Sequence, residues 1–272
     1  RRFSFGNDLV SKVALNGRAE ILSPITKQAV KDLLCYYSQN ETVQSFVGVP
    51  VFLPATANIA SEQNSPVAVL IIDSQKEETY GEKTLRVLAQ YSKMISVLLK
   101  SYTEKYDLLN DAKVLGAISS LEQLARKGTG GKEIAEQLIK FTSQLVEADD
   151  STVVLFDEKN EKWKVVAQKR SAKNIAVGQV IDYAKSIVGE VIRSQNERLI
   201  DNIADEKNAV RFFSGENLTS DGSFLCIPIL SHKKCFGAIA FEKEGTSGFT
   251  NADAAVLQPL VSFVGTLFDV SS

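Results

Sequence analysis

Reactive side chains are scarce in this chain. Among 272 residues there is one histidine, His232, and there are three cysteines, Cys35, Cys226 and Cys235. None of them falls in a metal-ligand or CxxC spacing, which argues against a zinc site. His232 stands beside Lys233 and Lys234 between two apolar runs, the place of a solvated hairpin turn rather than of a general base. Neither a P-loop nor a GxGxxG stretch occurs. No catalytic constellation is found, and the chain is not expected to be an enzyme. An odd, sparse cysteine count fits reduced thiols in a cytosol, and Cys226, inside FLCIPI, reads as a small buried hydrophobe.

An excess of one charge sign is also missing. Lysine and arginine number 31 against 33 acidic residues, a net charge of -2, so no global field favours nucleic acid or an anionic membrane. The longest uncharged apolar run, near Ala254 to Phe268, is too short to span a bilayer and contains Pro259; a core helix is expected there, without membrane insertion. Arg1-Arg2-Phe3-Ser4 leads into polar sequence and does not resemble a signal peptide. The missing initiator methionine suggests a piece of a longer chain, with a cytoplasmic location.

What is present is globular composition, 44% hydrophobic and 24% charged, with room for two domains. The two are joined by a stretch nearly free of helix breakers, Gly81 to Lys127. Leu88, Tyr91, Ile95, Leu98, Tyr102, Leu109 and Ala112 follow the alternating three- and four-residue spacing of a helical seam. Lys105 and Gly116 interrupt that seam. One reading is an amphipathic helix packed on its own domains; the other is a connecting helix that pairs with a second chain.

The flanking blocks read as copies of each other. Leu9 to Leu22 aligns with Ile187 to Ile200, and Phe46 to Val51 aligns at the same offset with Phe224 to Ile229. After a longer loop in the first copy, Val69 to Asp73 aligns with Ala238 to Glu242, and Tyr80 with Phe249. In the second copy helical spacing covers Lys132 to Val146. Strand-like runs cover Thr152 to Phe156 and Trp163 to Ala167 across a charged turn. A helix is predicted over Ile181 to Arg193, a short strand over Leu199 to Ile203, and one helical turn within Asp205 to Asp221. A second hairpin pairs Phe224 to Leu230 with Phe236 to Phe241, and a closing helix runs from Asn251. The fold class is α+β, an antiparallel sheet flanked by helices. The expected division is an N-terminally incomplete first domain over 1–100, a connecting helix over 101–127 and a complete second domain over 128–272. The helix and hairpin that open the second copy have no counterpart in the first; they are absent there, or supplied by sequence outside this chain.

Asp201-Asn202-Ile203-Ala204-Asp205, then Arg211-Phe212, Phe224 to Ile229, Phe249-Thr250 and Asp253 resemble GAF domains. The pattern looks most like the tandem pairs of cyclic-nucleotide phosphodiesterases and related adenylate cyclases. Nucleotide-binding members of that family carry an Asn-Lys, Phe, Asp-Glu signature. Here its positions hold Glu242-Lys243, Phe249 and Asp253-Ala254, keeping the lysine, phenylalanine and aspartate. In the first copy Asp73-Ser74, Tyr80 and Thr84-Leu85 replace it. The resemblance implies a Lys243–Asp253 ion pair. It implies a pocket lined by Thr152, Gln168, Lys169, Ile187 and Val188 and covered by Phe213 and Asn217. The amides near Lys185 and Ser186 would receive a phosphate. The acidic residue that reads the base in some relatives is replaced by Ile239.

The ligand so implied is cAMP or cGMP, with no cofactor fixed. The absence of a Cys-His pair argues against a bilin, and an iron ligand would have to be His232. Arg1-Arg2-Phe3-Ser4 also fits the basic-basic-x-Ser pattern of a phosphorylation site at Ser4. Two functions are therefore expected. One is a sensor whose second domain binds a cyclic nucleotide and relays the change through the helix to an output domain outside this chain. The other is a ligand-free pair serving dimerisation or docking in a larger assembly. A homodimer through the connecting helix suits both, and nucleic acid suits neither.

Overall fold

The computed structural model describes residues 6–34, 36–37, 42–53, 65–77, 80–169, 175–206, 210–216, 222–232 and 234–271. The chain divides into two compact units, residues 1–107 and 108–272.

Unit 1 begins with helix α1 (Leu9–Asn16), which has a defined start and stop. The Asp8 carboxylate accepts the Ser11 N–H at 2.9 Å, and Gly17, at φ 63°, ends the helix by donating its N–H to Val13 O at 3.0 Å. Strands β1 (Glu20–Leu22), β2 (Ser45–Val51) and β3 (Ala68–Ser74) form an antiparallel sheet in the order β1-β2-β3, with the short helix α2 (Val30–Leu33) between the first two. Leu9, Leu34 and Phe46 are buried on one side of this sheet. Val47, Val49 and Leu88 are buried on the other, where helix α3 (Glu82–Arg126) packs. Ser92 Oγ fastens α3 by donating to Pro50 O at 2.8 Å. The 45 residues of α3 match the breaker-free stretch, and its residues from Leu108 onward belong to unit 2.

Unit 2 continues with α4 (Gly131–Thr142), the hairpin β4 (Asp150–Asp157) and β5 (Lys162–Lys169), α5 (Ile187–Ser194) and β6 (Arg198–Ile200). A second hairpin, β7 (Gly222–Ser231) and β8 (Lys234–Glu244), leads into α6 (Asn251–Ser271). The sheet is antiparallel throughout, in the order β5-β4-β8-β7-β6. One face buries Ile239 and Phe241 under Ile134 and Leu138 of α4, Leu257 and Leu260 of α6, and Leu121 of α3. The other face buries Phe224, Cys226 and Ala240 under Val188 and Val191 of α5. Each such large apolar side chain contributes about 2 kcal/mol. Among the described residues, α6 is the one helix long and apolar enough to cross a membrane by length and composition. It is longer than its apolar run suggests, and its Leu257, Leu260, Val261 and Val264 are wholly buried in this core.

The two sheets share a register. Glu20 opposes Gly48 as Arg198 opposes Cys226, and Leu22 opposes Phe46 as Ile200 opposes Phe224. Phe46 opposes Asp73 as Phe224 opposes Glu242, and Val47 opposes Ile72 as Leu225 opposes Phe241. These are the positions that the sequence copies pair. The helices match too: α5 starts on Ser186, which accepts the Gly189 N–H at 3.0 Å, and ends on Gln195 at φ 57°. A one-residue slip in either sheet would have turned every apolar side chain to the wrong face.

Some boundaries differ from the predicted ones. α5 begins at Ile187 rather than Ile181, because Ile181 N–H bonds to Trp163 O at 3.1 Å and keeps that segment extended beside β5. The short strand stops at Ile200, and the single helical turn falls on Ile203–Asp205, capped by Asn202. α4 stops at Thr142, whose hydroxyl bonds back to Leu138 O at 2.9 Å.

Candidate functional site

Thr152 on β4 opposes both Gln168 on β5 and Ala240 on β8. Directly opposed residues share a face, so all three lie on the α5 side of the sheet. Ile187 and Val188, in the first turn of α5, are buried in the core on that side, and the half-buried Phe213 packs against it. Thr152 is buried and Lys169 exposed. Gln168 is half-buried, and its Oε1 is buried with no hydrogen-bond partner among the described residues. An unmet acceptor beside apolar carbon is the polar opportunity of this face. Asn217 and Ser4 lie outside the described residues.

The entry to α5 corrects one expectation. Its amides are already engaged: Ser186 N–H donates to Asp182 O at 2.9 Å, Ile187 N–H to Val210 O at 2.8 Å, and Val188 N–H to Arg211 O at 3.2 Å. Lys185 N–H reaches Asp182 Oδ1 at 3.1 Å. A phosphate arriving here would have to displace these bonds. The turn fits because residue 189 is glycine: a Cβ there would lie 2.2 Å from Tyr183 O.

Beside this face lies a charged cluster that the sequence reading did not single out as a site. Arg211 Nη1 donates to Glu242 Oε2, and both residues are buried. Glu216 comes from the following loop, its side chain only 2% exposed, with Oε2 3.7 Å from Arg211 Nε. Its Oε1 accepts the Phe212 N–H at 3.0 Å and also the Arg211 N–H. Burial pushes the Glu216 carboxyl above its ordinary range, against the pull of those amides and of Arg211. The signal in the sequence was a charge inside the apolar run AVRFF and another closing the apolar run AIAFE.

The Lys243–Asp253 pair is not formed. Lys243 Nζ lies instead 3.1 Å from Glu147 Oε2. Asp253 closes a capping box at the start of α6, accepting the Thr250 N–H and hydroxyl, each at 2.8 Å. Three residues from its cap, it meets the helix's own N-terminus before any lysine. Burial raises the thiol pKa of both Cys226 and Cys235, which suits neither for nucleophilic work; Cys35 lies outside the described residues. His232 is exposed in the β7–β8 turn at φ 43°. Among the described residues no three His, Cys, Asp or Glu are grouped to hold a metal ion.

The family model for the GAF domain matches residues 131–266, half of the chain. The chain belongs to the GAF domain family. Its GAF domain comprises the five-stranded sheet with α4, α5 and most of α6, preceded by the long helix α3. It is a fold of regulation and sensing in signalling proteins. No curated protein matches the chain. Solved structures similar to it include the GAF domain of an Acinetobacter phosphoenolpyruvate-protein phosphotransferase, 18% identical, covering 57% of this chain and 92% of that one at a TM-score of 0.48. The corresponding domain from Coxiella burnetii is 14% identical, with 58% and 94% covered and a TM-score of 0.45. A free methionine-R-sulfoxide reductase from Neisseria meningitidis, in complex with its substrate, is 13% identical, with 58% and 89% covered and a TM-score of 0.46. None of these assigns a ligand to the GAF domain of this chain.

Proposed function

We propose that this chain is the non-catalytic, cytoplasmic regulatory region of a larger signalling protein. In it the GAF domain senses a small ligand and α3 relays the change to an output domain elsewhere. Unit 1 is read as a second, shortened GAF-like unit, which makes the region a tandem pair. The shared strand register and the matching caps of α1 and α5 support that reading. The proposed ligand is a cyclic nucleotide, cAMP or cGMP. Its base would lie on Ile187, Val188 and Phe213 and donate an exocyclic N–H to Gln168. Thr152 and Asn217 complete the proposed lining, and Ser4 is a proposed phosphorylation site. The observation that carries the ligand is the buried Gln168 Oε1, which has no hydrogen-bond partner among the described residues and lies on the side of the sheet where Ile187 and Val188 pack.

The engaged amides at the start of α5 favour a second reading, in which the pair binds no nucleotide and serves dimerisation or docking. Calorimetry of the whole chain with cAMP and cGMP separates the two. Heat on addition, weakened tenfold or more by Phe213→Ala, supports the sensor; no heat and no thermal shift at millimolar ligand removes it. Both readings include a homodimer through α3, supported by the exposure of Leu98 at 66% and Tyr102 at 74% on one stripe. Light scattering should find a dimer that Leu98→Asp abolishes, and a monomer at high concentration would sink it.

A further inference from the structure

Unit 1 leaves open what unit 2 covers. Among the described residues β3 pairs with β2 alone, whereas β8, its counterpart, pairs with β7 on one side and β4 on the other. Beside that edge lies a groove of about 440 Å³ lined mainly by Leu70, Ile72, Val87, Leu88, Tyr91 and Ile95. Ile72 is 43% exposed, Val87 43% and Tyr91 54%.

The counterparts of these positions are occupied in unit 2. Ile239 and Phe241 stand where Leu70 and Ile72 do, and Leu257, Leu260 and Val264 stand where Leu88, Tyr91 and Ile95 do. All five are at most 1% exposed, and α4 lies in the same core through Ile134, Leu138 and Ile139. The register of the cover is known as well: Val153 of β4 opposes Ile239 and Ser151 opposes Phe241. One molecule therefore contains both the open seat and a worked example of what fills it. The filling is an amphipathic helix followed by a strand that alternates toward the helix side. A second chain offering α3 alone supplies no strand for the β3 edge.

We propose that the edge of β3 and this groove are the seat of a helix–strand segment of the same polypeptide that lies before Arg1. That segment completes unit 1 as α4 and β4 complete unit 2. Its strand runs antiparallel to Val69–Asp73 and sets apolar side chains against Leu70 and Ile72. Its helix lays an i, i+4, i+7 apolar stripe over Val87, Leu88 and Tyr91. The counterpart of that segment in unit 2 is residues 131–178, since Arg1 falls at the offset of Gln179. The inference rests on reading unit 1 as a shortened GAF-like unit.

The test compares hydrogen exchange of β3 in the 272-residue chain with that in the chain extended upstream through the encoded sequence of that length. The extension should slow exchange of the β3 amides at least tenfold. Val87→Asp should be silent in the short chain and should abolish the added protection in the long one. Unchanged β3 exchange, or a reading frame that opens only a few residues before Arg1, overturns the proposal. So does β3 protection in the short chain that rises with protein concentration, since the occupant is then a second copy. The underlying reading fails separately, if nuclear Overhauser contacts in the short chain do not pair Ile21 with Val47 and Val47 with Ile72.

Discussion

At the end of β3 a carboxylate, Asp73, accepts two tyrosine hydroxyls, Tyr36 at 2.7 Å and Tyr37 at 3.0 Å. At the matching end of β8 a longer carboxylate, Glu242, accepts the buried guanidinium of Arg211. Each holds a connecting loop against its sheet, the β1–β2 loop in unit 1 and the β6–β7 loop in unit 2, and the chemistry differs with the depth of the site. Asp73 is half-buried and neutral hydroxyls suffice; Glu242 is buried and takes a full counter-charge. The same contrast recurs at the helices. The third residue after the cap is Ser11 in α1, whose hydroxyl accepts the Gly6 N–H at 3.0 Å, and Gly189 in α5, where a Cβ would lie 2.2 Å from Tyr183 O. On the proposed reading of unit 1 as a shortened counterpart, unit 2 carries α4 and β4 in addition, packed in its core and on the edge of β8.

The comparison sharpens under mutation, beginning with the largest effect. Arg211→Met leaves Glu242 and Glu216 buried without their cation and should destabilise unit 2 by about 3–5 kcal/mol. Tyr36→Phe, at the unit 1 counterpart, should cost about 1 kcal/mol. Equal losses in denaturant unfolding would break the contrast between the two anchors. Gly189→Ala drives a methyl onto the Tyr183 carbonyl and should cost about 2 kcal/mol, whereas Ser11→Gly in α1 removes the hydroxyl that accepts the Gly6 N–H and donates to Asp8 Oδ2 and should cost about 1 kcal/mol.

Gln195 and Gly17 occupy the same left-handed helix stop, at φ 57° and φ 63°. Gln195→Gly should therefore stabilise unit 2 by roughly 1 kcal/mol, raising its melting temperature. The smallest effect concerns pH. Burial raises the Glu216 carboxyl, so the native state binds that proton more tightly than the unfolded chain does. Its contribution favours folding at low pH and fades as pH climbs from the ordinary carboxylate range through the raised value. Glu216→Gln should flatten that part of the stability profile of unit 2; a wild-type slope in the variant would assign the titration elsewhere.

Much of this was legible in the sequence. The breaker-free stretch marked α3, and apolar alternation marked the strands closely enough for their register to match between the copies. Thr152, Gln168, Ile187 and Val188, named from the resemblance to GAF domains, lie on one side of the sheet. What was not legible depends on partners distant in the chain. Lys243 finds Glu147 across nearly a hundred residues, whereas Asp253 finds its own helix start. The Arg211 cluster draws on a loop and a strand thirty-one positions apart. The entry to α5 turned on backbone bonds from Val210 and Arg211, which side-chain patterns do not announce.

The central proposal is that both units follow one plan and that β3, paired among the described residues with β2 alone, is an open edge. Amide hydrogen exchange of the 272-residue chain tests it most directly. The account predicts β8 amides that exchange only by unfolding of unit 2, and β3 amides that exchange far faster by local opening of an edge. Equal protection of β3 and β8 would contradict it.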